Sequence, residues 1–344
     1  MTDSVVTTLI DLAAGGMLRL SPVRSDSPRV VVIILVWNGK DDTLECLHSW
    51  RADTYPNKKI VVVDNGSTDG SAEEIAAAFP EVAIQRNEQN LGFCAGNNIG
   101  IQYAIKQRAD YIYLLNNDTT VESEALTAMV RAAEANPILG IVAPVMHDYK
   151  GTRTIWFAGS KVNLRRAEAV HDNSRQPLRT DEPYTVPWIT GCALMARADI
   201  LRQLGGLDER YFLSWEDVDL GLRAGRAGIQ LAVIPAARIY HKGGQTSGRL
   251  LGDTRDYYDV RNRLLLIRTH AGWRYYAAAA YVVVKCLVAP LRGSSRRLSQ
   301  RLAELSQVVA AVRDHLLGRY GERGNPLWRS AHAPLPAAVS GKTS

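Results

Sequence analysis

The chain has 344 residues, 46% hydrophobic and 22% charged, a soluble globular composition with room for one large α/β domain plus an appendage, or for two ordinary domains. Its four cysteines, Cys46, Cys94, Cys192 and Cys286, lie far apart without a CxxC pair, which argues against a disulfide framework or zinc site and for a reducing compartment. The net charge of +6 is concentrated at the C-terminus, where ten Lys/Arg oppose three Asp/Glu from Lys285 onward; with no nucleic-acid motif beside it, this surplus points to anionic lipid or a solvated helix face and not to nucleic acid.

Residues 1–28 lack a basic start followed by an unbroken apolar run, so they make a poor secretory signal and read as a loose or partly helical arm. Cytosolic chemistry is expected. From residue 29 strand-like and helix-like segments alternate. "RVVVIILVW" (29–37) is a β-branched run suited to a strand buried on both faces, and "DDTLECLHSW" (41–50) reads as a helix with acids at its positive end. "KIVVVDN" (59–65) is a second buried strand. "SAEEIAAAF" (71–79) is a helix with Ser71 as cap and Glu74 closing a capping box. "VAIQRN" (82–87) gives a third strand, 95–107 a helix, and "YIYLL" (111–115) a fourth strand. This alternation predicts a mostly parallel sheet flanked by helices.

Residues 151–186 are polar and irregular and read as an insertion. Order returns with "WITGCALMAR" as strand, "ADILRQLGGLD" and "WEDVDLGLRAGRAG" as helices, and "IQLAVIP" as strand. From residue 253 the chain looks helical, with a Pro- and Ala-rich tail after 325 expected to be disordered.

In a parallel α/β sheet, ligands bind beyond the carboxyl ends of the strands. Four such ends carry polar loops here: "WNG" (37–39), "DNGSTDGS" (64–71), "NLGFCAGNN" (90–98) and "NNDTT" (116–120). Four loops on one edge read as the lining of one site. Asp118 follows a buried strand, so it either ends the strand in a turn or offers a carboxylate to a hard cation that phosphate oxygens complete. Asp64 ends another strand, and Gly66 and Gly70 allow close backbone approach to a ligand. Neither a GxxxxGK[ST] loop nor a GxGxxG turn is present, which leaves a role for a metal in carrying phosphate charge. In "WEDVD" (215–219), acids at a helix start either answer the dipole or, beside a tryptophan, serve a sugar and a general base. His241 precedes "KGGQTSG" and is either structural or a metal or phosphate contact.

These pieces, in this order, resemble the family 2 glycosyltransferases, inverting enzymes of the GT-A fold that use nucleotide-sugar donors. "VVIILVWNGKDDTLECLHSW", "IVVVDNGSTDGS", "NLGFCAGNNIGI", "YLLNNDT", "GGLDERYFLSWEDVDLGLRAGRAG" and "HKGGQTSG" carry the likeness over 30–248. The pattern is most similar to bacterial rhamnosyltransferase-like enzymes of cell-surface polysaccharide assembly, and "YYDVRNRLLLIRTH" (257–270) resembles the segment that follows the catalytic domain there.

The resemblance implies that Asp64 binds a uracil or thymine base, with Trp37, Asn38, Asn65 and Gly66 in the same donor pocket. It implies that Asn90, Gly92 and Asn97 shape the diphosphate-sugar side, and that Asn116, Asn117 and Asp118 stand where relatives carry Asp-x-Asp. Asp118 and His241 would then hold Mg²⁺ or Mn²⁺, Asp217 would be the catalytic base, and Trp215 and Glu216 would meet the acceptor. Asn116 replaces the first acid of the motif, so a single-carboxylate metal site leaning on the donor's phosphates is expected.

The implied donor is a dTDP- or UDP-sugar, dTDP-L-rhamnose favoured, and the acceptor a cell-surface glycan or lipid-linked saccharide. UDP-galactofuranose, -galactose or -glucose remain open. A non-catalytic nucleotide-sugar or glycan binder and a nucleotidyltransferase are the competing classes. "WRYYAAAAYVVVKCLVAP" (273–290) is short and charged for a membrane span; an interfacial helix on an anionic membrane, with Arg292, Arg296, Arg297 and Arg301 beside it, competes with packing on the catalytic domain or in a homodimer. The expected organisation is an arm (1–28), a GT-A domain (29–250) with a donor half (29–120) and an acceptor half (121–250), a helical region (251–325) and a tail (326–344). The expected location is cytoplasmic, peripheral on the inner membrane.

Overall fold

The structure, a computed structural model, describes residues 8–11, 17–20, 27–149, 154–173, 182–243, 255–291 and 298–324. Two largely buried β-branched runs organise it: β3 (Val30–Val36) and β4 (Lys58–Asp64), following a small antiparallel pair β1 (Thr8–Asp11) and β2 (Met17–Leu20). Between them runs α1 (Lys40–Arg51), which buries Cys46, Leu47 and Trp50. Then follow α2 (Ser71–Ala78), β5 (Ala83–Arg86), α3 (Gly92–Lys106), β6 (Tyr111–Asn116), β7 (Thr119–Val121), α4 (Ala125–Ala135) and β8 (Leu139–Asp148). β3, β4, β5 and β6 are parallel, in the spatial order β6-β3-β4-β5. Val36 pairs with Asp64, and Leu35 with Asn116, so these strands end level and deliver their loops to one edge.

The second half continues the same sheet. β9 (Ile155–Phe157) pairs with β8, and β10 (Ser160–Asn163) with β11 (Glu168–His171) as a separate hairpin. β12 (Tyr184–Val186) and β13 (Ala193–Arg197) follow, β13 lying antiparallel between β6 and β8. After α5 (Ala198–Leu204) and α6 (Glu216–Arg226), the long β14 (Gln230–His241) runs parallel to β8 and antiparallel to β7 and β12. Pro235 falls where the β14–β8 register shifts, a position that needs no ladder N–H. Three helices follow among the described residues: α7 (Arg255–His270), α8 (Tyr275–Val288) and α9 (Leu298–Leu316). α7 joins two cores, with Leu265 and Leu266 in the main one and Leu264 and Ile267 in a smaller one shared with α8 and α9.

The GT-A sheet flanked by helices agrees with the expectation. Several local readings need correction. The arm forms a strand pair where a loose or helical segment was expected. Ser71 is not a cap: left-handed Gly70 (φ 78°) takes that place, Ser71 bonds Asp69, and Glu74 pairs with Lys40 at 3.1 Å, so no capping box forms. The insertion at 151–186 contains four short strands among its described residues, which polar alternation hid. The strand expected at "IQLAVIP" runs on to His241 because β7 and β8 continue to pair with it. The glycine-rich stretch 244–250 and the tail after 325 lie outside the described residues.

Candidate active site

The level strand ends open into a cavity of about 730 Å³. Trp37, Asn65, Asn90, Gly92, Asn116 and Asn117 line one side of it; Asp118, His241, Trp215, Glu216 and Asp217 complete the wall. Asn38, Asp64, Gly66 and Asn97, assigned to the donor by resemblance, are not among the lining residues. They brace the loops. Asp64 Oδ1 accepts from Ser67 N at 2.9 Å, Asn38 Oδ1 from Thr68 N at 2.8 Å, and Asn97 donates to Phe93 O at 2.9 Å. Gly66 (φ 78°) sits where a Cβ would meet the Gln89 backbone at 2.7 Å.

Asn65 is the hub of the loops at these strand ends. Its amide donates to Asn90 Oδ1 at 2.9 Å and Gly92 O at 3.1 Å, and its oxygen accepts from Asn87 and the Leu91 N–H. Asn117 performs the same service for α1, donating to Thr43 Oγ1 at 3.0 Å and Gly39 O at 3.3 Å. The Asn65 side of the cavity meets the opposite wall at Gly92 (φ 83°), where a Cβ would strike the Phe212 ring at 2.4 Å. Phe212 O also accepts from Phe93 N at 2.7 Å, tying the start of α3 to the loop before α6.

Asp118 and His241 are buried, and Nε2 of His241 lies 3.2 Å from Oδ1 of Asp118. Beyond this ion-pair contact, both carboxylate oxygens and both ring nitrogens are buried without a hydrogen-bond partner. Burial opposes the imidazolium, but Cys192 and the Asp118 carboxylate outweigh it and raise His241 to about 10. Buried polar atoms left in this state ask for a partner. Among the described residues no group of three or more His, Cys, Asp or Glu is arranged to hold a metal ion. With the imidazolium proton given up on binding, one carboxylate and one imidazole fit a divalent cation that takes its other ligands from phosphate and water, and do not fit a full protein cage.

On the other side, Trp215 caps α6 in a left-handed conformation (φ 75°), which turns Glu216 and Asp217 toward the cavity. Asp217 Oδ2 accepts from Gly191 N at 3.0 Å and Oδ1 from Val218 N at 2.8 Å. Burial raises the Asp217 carboxyl, while the Gly191 and Val218 amides pull it back. Glu216 is held well above the carboxylate range by burial first and by Asp217 second. Both acids are thus raised, Glu216 the further of the two, so the pair resists carrying two negative charges at once.

Sequence reasoning missed two parts of this wall. Trp156, His171 and Trp188 form an aromatic face, with Trp156 4.7 Å from His171 and 4.4 Å from His241, centroid to centroid. Asp256 and Asp259 come from α7, and Asp259 Oδ1 accepts from Trp215 Nε1 at 3.0 Å. Only the hydrophobic spacing of "IWF" hinted at the first; nothing local marked the second. Ring faces beside carboxylates suit a polyhydroxylated ligand.

The sequence model of glycosyl transferase family 2 matches residues 31–205. Among curated proteins, the chain is 27% identical over 235 residues to the N-acetylglucosaminyl-diphospho-decaprenol L-rhamnosyltransferase of Mycobacterium tuberculosis, covering 62% of this chain and 76% of that one. It is 26% identical to the dTDP-rhamnosyl transferase RfbF of Shigella flexneri, over 70% of this chain and 80% of the relative. Among solved structures, GalNAc-T7 with UDP, GalNAc and Mn²⁺ superposes with a TM-score of 0.58 at 15% identity, over 86% of this chain and 59% of that one. The mannosyltransferase PcManGT of Pyrobaculum calidifontis, in complex with GDP-Man and Mn²⁺, gives 0.52 at 16% identity, over 87% and 90%. At these identities the structural likeness speaks for the fold.

Proposed function

Starting from the chain's membership of glycosyl transferase family 2, which makes it a glycosyltransferase acting on a nucleotide-sugar donor, we propose that it transfers L-rhamnose from dTDP-L-rhamnose to a hydroxyl of a lipid-linked saccharide. One observation carries the reaction: the unpartnered Asp118–His241 pair and the Asp217 carboxylate line the same cavity. The choice of rhamnose rests on the two rhamnosyltransferase relatives alone.

In this reading Asp118 and His241 hold a divalent cation, and Mn²⁺ is favoured over Mg²⁺ because one donor is an imidazole nitrogen. When bound, the cation supplies charge stabilisation for the departing diphosphate. Asp217 takes the proton of the acceptor hydroxyl; the oxygen attacks the anomeric carbon from the face opposite the diphosphate, whose C–O bond breaks. A single displacement inverts the configuration. Glu216, its carboxyl pushed well above the usual range by burial and by Asp217, resists a second charge beside the Asp217 carboxylate, and Trp215 offers the acceptor a ring face.

The test is calorimetry of dTDP- and UDP-sugars with and without Mn²⁺, followed by product analysis with the Asp217→Asn variant. Binding of no nucleotide-sugar, or full transfer by Asp217→Asn, overturns the proposal. Release of pyrophosphate would mark a nucleotidyltransferase instead.

The same reading gives the C-terminal helices a membrane role. Trp273 (84% exposed), Tyr276 (80%) and Val284 (60%) form an outward apolar stripe along α8 and the turn before it. Among the described residues no helix is long and apolar enough to cross a membrane. With the basic surplus from Lys285 onward, the stripe suits the cytosolic face of an anionic bilayer, where a lipid-linked acceptor is presented.

A further inference from the structure

The loop that leads into α6 is held in an unfavourable shape. Phe212 (φ 63°), Ser214 (φ 70°) and Trp215 (φ 75°) all sit at positive φ, and none is a glycine. Such backbone persists only where its surroundings over-determine it. The start of α3 holds Phe212 O through the Phe93 N–H, and one turn of α7 holds the carbonyls on either side of it. The Asn262 amide faces three loop carbonyls, Tyr211 O at 2.9 Å, Leu213 O at 2.8 Å and Ser214 O at 2.8 Å. Arg261 donates to Tyr211 O at 3.0 Å and Arg210 O at 3.1 Å, and its fork also fixes Asn262 Oδ1 at 2.9 Å. Both side chains are fully buried. Burying a guanidinium and an amide this completely is costly unless their geometry is used. Their reach ends at the residues immediately before Glu216 and Asp217.

We propose that Arg261 and Asn262 are positioning residues for glycosyl transfer: acting through the backbone of 210–215, they hold Asp217 and Trp215 at the acceptor side of the cavity while touching neither donor nor cation. Asp259, on the same turn of α7, adds the bond to Trp215 Nε1. This rests on the reading of Asp217 as the base.

The experiment compares Asn262→Ala, Asn262→Ser and Arg261→Lys in the full chain, reading kcat, donor KM, donor affinity by calorimetry and hydrogen exchange of the 210–219 peptide. Expected for Asn262→Ala is a fall in kcat of about 100-fold, the size of an ångström-scale misplacement, with donor affinity unchanged and faster exchange confined to 210–219. Asn262→Ser, which keeps one donor, recovers part of kcat. If Asn262→Ala does not fold, the milder Asn262→Ser and Arg261→Lys variants carry the same comparison. Unchanged kcat, donor affinity lost in proportion to kcat, or unchanged exchange in 210–219 overturns the proposal. A wild-type protein that transfers no sugar refutes the reading of Asp217 instead, and the exchange comparison still judges the clamp.

Discussion

Nε2 of His241 is brought to 3.2 Å from Oδ1 of Asp118 by backbone pairing and not by any bond between them: His241 pairs with Thr119 across β14 and β7, and Lys242 N donates to Asp118 O at 3.0 Å. The pair is therefore preset before any ligand arrives. Asp118→Asn and His241→Ala should both leave the fold intact and weaken Mn²⁺-dependent donor binding. The loss should be at least the roughly 10- to 100-fold that a supporting contact is worth at a metal site. Calorimetry with and without Mn²⁺ checks this; equal donor affinity in wild type and Asp118→Asn would remove Asp118 from the metal site.

Asp217→Asn keeps the shape of the carboxylate and removes its basicity, so kcat should fall by about 10²- to 10⁴-fold with donor affinity preserved. Because burial raises Asp217, the acid limb of kcat/KM should lie above the ordinary aspartate value of 3.8, with activity lost as pH falls through it. A limb at or below 3.8 contradicts the environment described for this carboxyl.

The sheet and its loops were legible because the signal was local. "RVVVIILVW" and "KIVVVDN" could be nothing but buried strands, and the polar residues directly after them had to share an edge. Asp118, Asp217 and His241 stood out for the same reason, each lying at the end of an element, while the roles proposed for them come from the family resemblance. Asn97 and Asp64 were harder to place: their side chains turn inward to Phe93 O and Ser67 N, a choice made by packing. The cap of α2 was misread because Gly70 can adopt φ 78°, which relieves Ser71 of the role. The aromatic face was only hinted at by the spacing of "IWF", and the contacts that α7 makes with the cavity were not legible. Trp156 meets His241 and Trp215 meets Asp259 across long stretches of chain, contacts that only the tertiary fold creates.

Glu216 offers a trade between stability and function. Its folded pKa is raised by burial and by Asp217, so between the ordinary glutamate value of 4.5 and that raised value the native state holds a proton the unfolded chain has released. Stability therefore falls as pH rises through that window. Glu216→Gln removes the titration and should raise Tm near neutral pH relative to wild type, with little gain below the ordinary glutamate value of 4.5. Equal Tm differences at both pH values would show that the change acts through packing alone.

Two left-handed glycines should behave differently. Gly205→Ala (φ 76°) has nothing within 4 Å of the new methyl, so its cost is the left-handed backbone alone, roughly 1 to 3 kcal/mol. Gly66→Ala (φ 78°) adds a collision with the Gln89 backbone at 2.7 Å and should cost more than the roughly 1 to 3 kcal/mol of left-handed strain. It should also weaken donor binding, because the 64–71 and 87–92 loops must separate to admit it. Urea unfolding ranks the two, and equal losses would mean that the loops part freely.

The apolar stripe on α8 has two candidate covers, a bilayer and a second copy of the chain, and they respond oppositely to salt and lipid. A bilayer held by aromatic insertion and basic charge predicts co-sedimentation with vesicles containing anionic lipid, weaker binding to neutral vesicles, and release as salt screens the charge. Trp273→Ala with Tyr276→Ala should reduce that binding by at least about tenfold, since each exposed ring has a large apolar area to bury. Transfer to a water-soluble acceptor should be unaffected, because neither ring lines the cavity. A second copy predicts instead a concentration-dependent mass in light scattering that the same substitutions abolish, without any preference for anionic lipid. Vesicle binding that is indifferent to the two rings would leave the stripe to the second copy and the charge to the tail.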